Sequence, residues 1–279
     1  MHPRTFPSAP CHAPRFARCT LILGAVCLSF VGLACRDRAP PAPAQRELVV
    51  FAAASLRDVF GALARPFTQA HPGAHVTFNF AGTQELRAQI EHGAAFDVLA
   101  AADERHVEAL VRARLIREPI VFARNEPVLV VSLEAASRLH RFEDLPFAGS
   151  LVVGAPEVPI GRYTRQVLDR ASSVLGPAFR AQVLDRIVSH ELNVRHVLNK
   201  VRLGEAEAGI VYRTDARMAA ATVIERPIPS AYSVGAVYPI AVAEEAAQRE
   251  LARMWVAFVR SAPGRGILRS AGFEPAEAP

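Results

Sequence analysis

Glu47-Leu48-Val49-Val50-Phe51-Ala52-Ala53-Ala54-Ser55-Leu56 decides how the rest of the chain is read. Residues 47–51 form a short apolar run rich in β formers. Leu56, Val59, Phe60, Leu63 and Phe67 then recur at helical spacing. The pattern predicts a strand, a tight alanine-rich turn, and a helix that begins near Ser55. Three alanines place almost no side chain in front of that helix. Its free N–H groups and the positive end of its dipole are therefore open to a ligand, and an anion suits such a place. Ser55 adds a hydroxyl there. It either caps its own helix or offers that hydroxyl to the anion.

Working outward, the same strand-to-helix pattern repeats. His75–Phe80 reads as a strand, Ala81–Gln84 as a turn, and Leu86 and Ile90 as a helix ending at His92-Gly93. Phe96–Ala101 reads as a buried strand, and Asp103 as the cap of a helix over Glu104 to about Arg114. Val128–Val131 and Leu151–Gly154 are further apolar runs. Asn193 is a good cap for a helix carrying Val194, Val197, Leu198 and Val201. Ala208–Tyr212 is a strand that ends in a tyrosine, Val234–Val242 a further strand, and Leu251, Trp255, Phe258 and Val259 mark a closing amphipathic helix. Two-sided apolar strands between helices predict α/β architecture with mainly parallel sheets.

Upstream, residues 1–34 have the form of an export signal. Arg4, Arg15 and Arg18 come without any acidic residue, and Thr20–Leu33 is an apolar stretch too short to span a membrane comfortably. Gly32-Leu33-Ala34 has the small residues of a cleavage site, and Cys35 follows in the position of a lipidated cysteine. Cleavage before Cys35 with lipidation is expected; a retained N-terminal anchor is the alternative. Residues 35–45, with Pro40, Pro41 and Pro43, read as a stiff tether. Losing the signal leaves 29 basic against 27 acidic residues, a net charge of +2. So balanced a surface gives no reason to expect a nucleic-acid face. Cys11, Cys19 and Cys27 leave with the signal, so no disulfide framework or cysteine metal site is expected. His71 and His75 are separated by Pro72-Gly73, which breaks any helical metal pair. Asp97 and Asp103 read as a strand-end residue and a helix cap before they read as a catalytic pair. No Gly-x-Ser-x-Gly elbow, P-loop or dinucleotide fingerprint occurs.

Taken in order, these pieces resemble the substrate-binding proteins of bacterial molybdate ABC transporters. The matching stretches are Val50–Leu56, Phe80–Thr83, Leu86–Ala94, Asp97–Ala100, Val158–Tyr163, Asn193–Arg195, Gly209–Tyr212 and Arg269–Phe273, spread over residues 47–273. The resemblance implies a type II periplasmic binding-protein fold, two α/β lobes with a two-connection hinge closing on one oxyanion. Lobe one is expected over residues 46–125 and 235–275, and lobe two over 126–234. The implied ligand contacts are hydroxyls and N–H groups of Ser55 and Thr83, the N–H groups of Ile160 and Val194, and the phenol of Tyr212. Molybdenum would be held as molybdate, with no protein atom bound to the metal.

Two positions depart from the family pattern. Thr83 stands where many relatives have serine, with Gly82 before it in place of a second serine. Ile160 stands where a small residue is common, so its side chain should point away from the ligand. Arg162, Arg195 and Arg213 lie beside the second-lobe contacts, either to steer anions or as solvated surface charge. What the resemblance implies is a non-enzymatic receptor for molybdate, and for tungstate, outside the cytoplasm, serving an ABC permease. It would be a monomer, would need no cofactor, and would meet the membrane only through a lipid on Cys35. Another tetrahedral oxyanion such as sulfate is the nearest alternative. An exported enzyme using Ser55 or Tyr212 is the remoter one, because no base is paired with either residue in the sequence.

Overall fold

The computed structural model describes residues 45–277. The expected signal over 1–34, Cys35 and nearly all of the tether lie outside the described residues.

The strands fall into two sheets. The first contains β1 (Arg46–Ala53), β2 (Ala74–Ala81), β3 (Val98–Ala100), β4 (Ile116–Asn125), β10 (Ala236–Ala243) and β11 (Glu274–Pro275), in the order β11-β4-β10-β3-β1-β2. The second contains β5 (Pro127–Ser132), β6 (Leu151–Gly154), β7 (Ile187–Glu191), β8 (Ala208–Tyr212) and β9 (Val223–Arg226), in the order β7-β6-β8-β5-β9. The chain passes from the first sheet to the second at Glu126, between β4 and β5. It returns between Arg226 and Ala236. Two crossings join the two halves, the connectivity of a two-lobed hinged fold.

The sheets are mixed, which corrects the expectation of mainly parallel ones. β2-β1-β3 and β7-β6-β8 are parallel, but β10 runs antiparallel to β3 and β4, and β5 antiparallel to β8 and β9. The reason is topological. A parallel neighbour needs a helical crossover, whereas β5 and β10 enter their sheets directly from the passages between halves, without one.

The first half is pinned by aromatic packing. Trp255 of α8 (Arg249–Arg260) is fully buried, edge-on to Phe60 at 5.6 Å and Phe67 at 5.1 Å between ring centroids. Both phenylalanines belong to α1 (Arg57–Ala70), so one indole holds two helices against the sheet. In the second half β5 is buried along its whole length. Gly209 of β8 lets Val197 and Val201 of α6 (Val194–Arg202) lie on the strand, where a Cβ would meet each at 3.0 Å.

This order puts the carboxyl ends of β1, β2, β3, β6, β7 and β8 toward one shared crevice. Ligands of open α/β sheets bind at such ends.

Candidate functional site

Each of those strand ends contributes to one small cavity. Ser55 follows β1, Gly82 and Thr83 follow β2, and Ala102 follows β3. Val158 to Ile160 follow β6, Asn193 and Val194 follow β7, and Tyr212 ends β8. All five residues singled out in the sequence, Ser55, Thr83, Ile160, Val194 and Tyr212, therefore line the same space. Its cavity volume is about 10 Å³. Pockets for drug-sized molecules run to roughly 300–1,000 Å³, so this one suits a compact ion. No ionisable acid or cation lines it among the described residues; its polar groups are amides, hydroxyls and one phenol.

Local structure explains why each donor is free. Asn193 caps α6 by accepting the N–H groups of Arg195 at 3.0 Å and His196 at 3.1 Å. The cap satisfies the second and third helical donors and leaves the first, Val194 N–H, without an intrahelical partner. In α4 (Pro159–Leu175) proline occupies the first position and has no N–H, so Ile160 carries the first amide donor of that helix. The Ile160 side chain packs on β6, where a Cβ on Gly154 would come within 2.7 Å of its Cγ2. The branched side chain thus covers the sheet while its amide stays available.

Thr83 opens α2 (Thr83–Glu91), whose preceding residue, Gly82, has no side chain with which to cap it. Instead Glu85 Oε2 accepts the Gly82 N–H at 2.9 Å. The Thr83 Oγ1 accepts from Ala102 N–H at 3.1 Å. Gly82 is needed for space: a Cβ there would lie 2.4 Å from Leu192 O in the opposite half. A serine in its place, common in the resembling family, would not fit this arrangement unchanged.

Three details differ from the sequence-based reading. Ser55 sits in a 3-10 turn, Ala54–Leu56, ahead of α1, and caps nothing; its Oγ is 2.9 Å from Tyr238 Oη. Thr83 and Ile160 are the first and second residues of their helices, not residues before them. Neither free steering nor plain solvated charge describes the arginines, because each is paired with carboxylates. Arg162 Nε lies 3.2 Å from Asp103 Oδ2, Arg195 lies 2.5 Å from Asp58 and 2.7 Å from Asp215, and Arg213 pairs with Glu126 and Glu225. Asp103 is also the expected helix cap, accepting His106 N–H at 3.3 Å. Asp97 accepts Val49 and Gln248 N–H groups, a structural role.

Several of these bonds join the two halves. Besides Arg162–Asp103 and Arg195–Asp58, His106 Nε2–H donates to Glu157 O at 2.8 Å, and Gln84 Nε2–H to Leu192 O at 2.6 Å. The structure is therefore a closed arrangement, with donors from both halves drawn around one cavity.

Tyr212 is the most exacting member of the set. It is buried, and its Oη has no hydrogen-bond partner among the described residues. Burial, with Tyr238 nearby, holds its pKa well above the ordinary phenol value. It is a neutral O–H donor at any physiological pH. Its ring is fixed edge-on between Tyr163 and Tyr238, with centroids 6.4 and 5.7 Å away. Sequence reasoning named Asn193 only as a cap and gave Tyr238 no role. Tyr238 lies 183 residues from Ser55 and carries no local signal.

Two α/β halves joined by two crossings, with a small cavity of neutral polar groups at the strand ends between them, define the architecture of a solute-binding protein. Comparison with known proteins agrees: residues 48–274 match the family model described as bacterial extracellular solute-binding protein, and the chain belongs to that family. It is 39% identical over 249 residues to the molybdate-binding protein ModA of Mycobacterium tuberculosis, covering 86% of this chain and 92% of that protein. Two solved structures share the fold. The periplasmic molybdate-binding protein of Azotobacter vinelandii has a TM-score of 0.72 at 21% identity, over 82% of this chain and all of that one. The sulfate-binding protein SubI of M. tuberculosis has a TM-score of 0.75 at 15% identity, over 84% and 88%. Among the described residues no helix is long and apolar enough to cross a membrane.

Asp215 gives the site a measurable pH dependence. It is fully buried behind Tyr212, and burial raises its carboxyl to about 7 while Arg195 opposes the rise. The unfolded carboxyl titrates near 3.8. Between those values the folded state holds a proton that the unfolded state has lost, so stability falls as pH rises through that window. Thermal unfolding should show a larger loss for wild type than for Asp215→Asn between about pH 4 and pH 7. Equal losses in the two proteins would contradict this assignment.

Proposed function

We propose that this chain binds molybdate, and tungstate as well, outside the cytoplasm and delivers it to an ABC importer. The observation that carries the reading is the donor set. Tyr212 Oη is buried and unpartnered among the described residues, in the same cavity as the intrahelically unpaired N–H groups of Ile160 and Val194 and the hydroxyls of Ser55 and Thr83. A fully deprotonated tetrahedral oxyanion only accepts hydrogen bonds, and this shell can donate from both lobes. The 39% identity to a molybdate-binding protein supports the same ligand. The fold alone does not choose between anions, since a sulfate-binding protein shares it.

Size makes the choice. Four of the five donors are fixed by main chain or a short side chain, and the Tyr212 ring is wedged between two others. Such donors cannot follow a smaller anion inward. Sulfate has the charge of molybdate with shorter bonds to oxygen, so its hydrogen bonds would stretch or break. Molybdate and tungstate are nearly equal in size and charge. A receptor rather than an enzyme is the reading this chain's solute-binding relatives support, and among the described residues the partner of Ser55 is a phenol held neutral by burial. The protein works as a monomer and needs no cofactor.

Lobe one comprises residues 46–125 and 235–275, and lobe two 126–234, with opening and closing about the two crossings. Release to the permease requires the bonds across the cleft to part. Residues 1–34 direct export, Cys35 becomes the lipidated N-terminus, and 35–45 tether the lobes to the membrane surface.

Titration calorimetry tests the ligand. Each lost bond to a charged acceptor is worth roughly 1.5–3 kcal/mol, so two losses weaken sulfate by about two to four powers of ten. Molybdate and tungstate should bind within about tenfold of each other. Ser55→Ala and Tyr212→Phe should each weaken molybdate without unfolding the protein, and less than additively when combined. Sulfate binding as tightly as molybdate would defeat the size argument. Sequencing the mature N-terminus tests export. It should begin at Cys35 and partition with membranes, with Cys35→Ala releasing the protein; an intact Met1 would contradict the assignment.

A further inference from the structure

A hydroxyl helps an oxyanion only when its proton points at the ligand. A serine hydroxyl rotates, so something must set that direction. In Thr83 the setting is unambiguous. Its Oγ1 receives the Ala102 N–H, an amide that can only donate, and the Thr83 proton is left for the cavity. Ser55 has a less decided neighbour. Its Oγ lies 2.9 Å from Tyr238 Oη, both groups are buried, and either could donate.

The surroundings decide it. If Ser55 donated to Tyr238, the serine lone pairs would face the bound anion, an arrangement that repels it. If Tyr238 donates, the Ser55 proton is free for the anion, and the two hydroxyls of lobe one are set alike. Tyr238 is built to hold this role. It is fully buried on β10, with Tyr212, Phe273 and Phe122 edge-on around it at 5.7, 5.4 and 6.4 Å. Among the described residues its hydroxyl makes no other hydrogen bond, so no second acceptor competes for its proton. That leaves the phenol proton for Ser55. Burial keeps the proton in place by raising the pKa well above the ordinary phenol value.

We propose that Tyr238 is a positioning residue for oxyanion binding: its hydroxyl donates to Ser55 Oγ and thereby fixes the Ser55 proton on the bound anion. The inference rests on the oxyanion reading given above. It also extends the basis of selectivity. A Ser55 hydroxyl held as a donor is matched best by an ionised ligand oxygen, so the site favours the fully deprotonated anion at that corner.

The test is a double-mutant cycle by calorimetry with molybdate, on wild type, Ser55→Ala, Tyr238→Phe and the double variant. Tyr238→Phe should weaken binding about three- to tenfold in the wild-type background and not at all when Ser55 is already alanine. A purely structural tyrosine would cost the same in both backgrounds, and that result overturns the inference while leaving the ligand assignment intact. Wild-type protein that fails to bind molybdate overturns both. Neutron diffraction from deuterated wild-type crystals grown with molybdate needs no variant to fold. A deuteron on Tyr238 Oη aimed at Ser55 supports the inference; one on Ser55 aimed at Tyr238 overturns it.

Discussion

The proposed ligand carries two negative charges, and among the described residues the cavity that would take it offers no positive one. Moving a charge out of water without compensation is costly enough that proteins normally pair or neutralise it. Here compensation has to come from hydrogen bonds, each stronger because the acceptor is ionised. That requirement accounts for the site's composition. The candidate donors are two helix amides left over by an asparagine cap and a proline, two hydroxyls each with a hydrogen-bond partner outside the cavity, and a phenol kept neutral by burial.

The same requirement explains why arginines near the cleft do not enter it. Arg162 and Arg195 are close in sequence to Ile160 and Val194, yet each is held by carboxylates, and both ion pairs span the two halves. They join the two halves, and neither is a freely exposed surface pair: Asp103 is 1% exposed and Arg195 18%. Among the described residues no arginine lines the cavity, so in the proposed reading neutral groups alone would meet the anion.

Much of this was legible in the sequence, for identifiable reasons. The β1–α1 junction could be read because apolar strand, alanine turn and helical spacing are all local. The caps at Asp103 and Asn193 are single-residue signals with a direct backbone consequence. The mixed character of the sheets was not legible, because strand direction at β5 and β10 depends on where the chain crosses between halves. Nor was the fate of the arginines, whose partners Asp58 and Asp103 lie 137 and 59 residues away. Tyr238 was invisible for the same reason. Its significance exists only once β10 has returned to the first sheet and set the phenol beside Ser55.

A crystal structure of the molybdate complex tests the central claim most directly. Oxygen atoms of the anion should lie about 2.7–3.1 Å from Ser55 Oγ, Thr83 Oγ1, Ile160 N, Val194 N and Tyr212 Oη, with Arg162 and Arg195 still on their carboxylates. An arginine that leaves its carboxylate to touch the anion, or a cation bound beside it, would contradict the account.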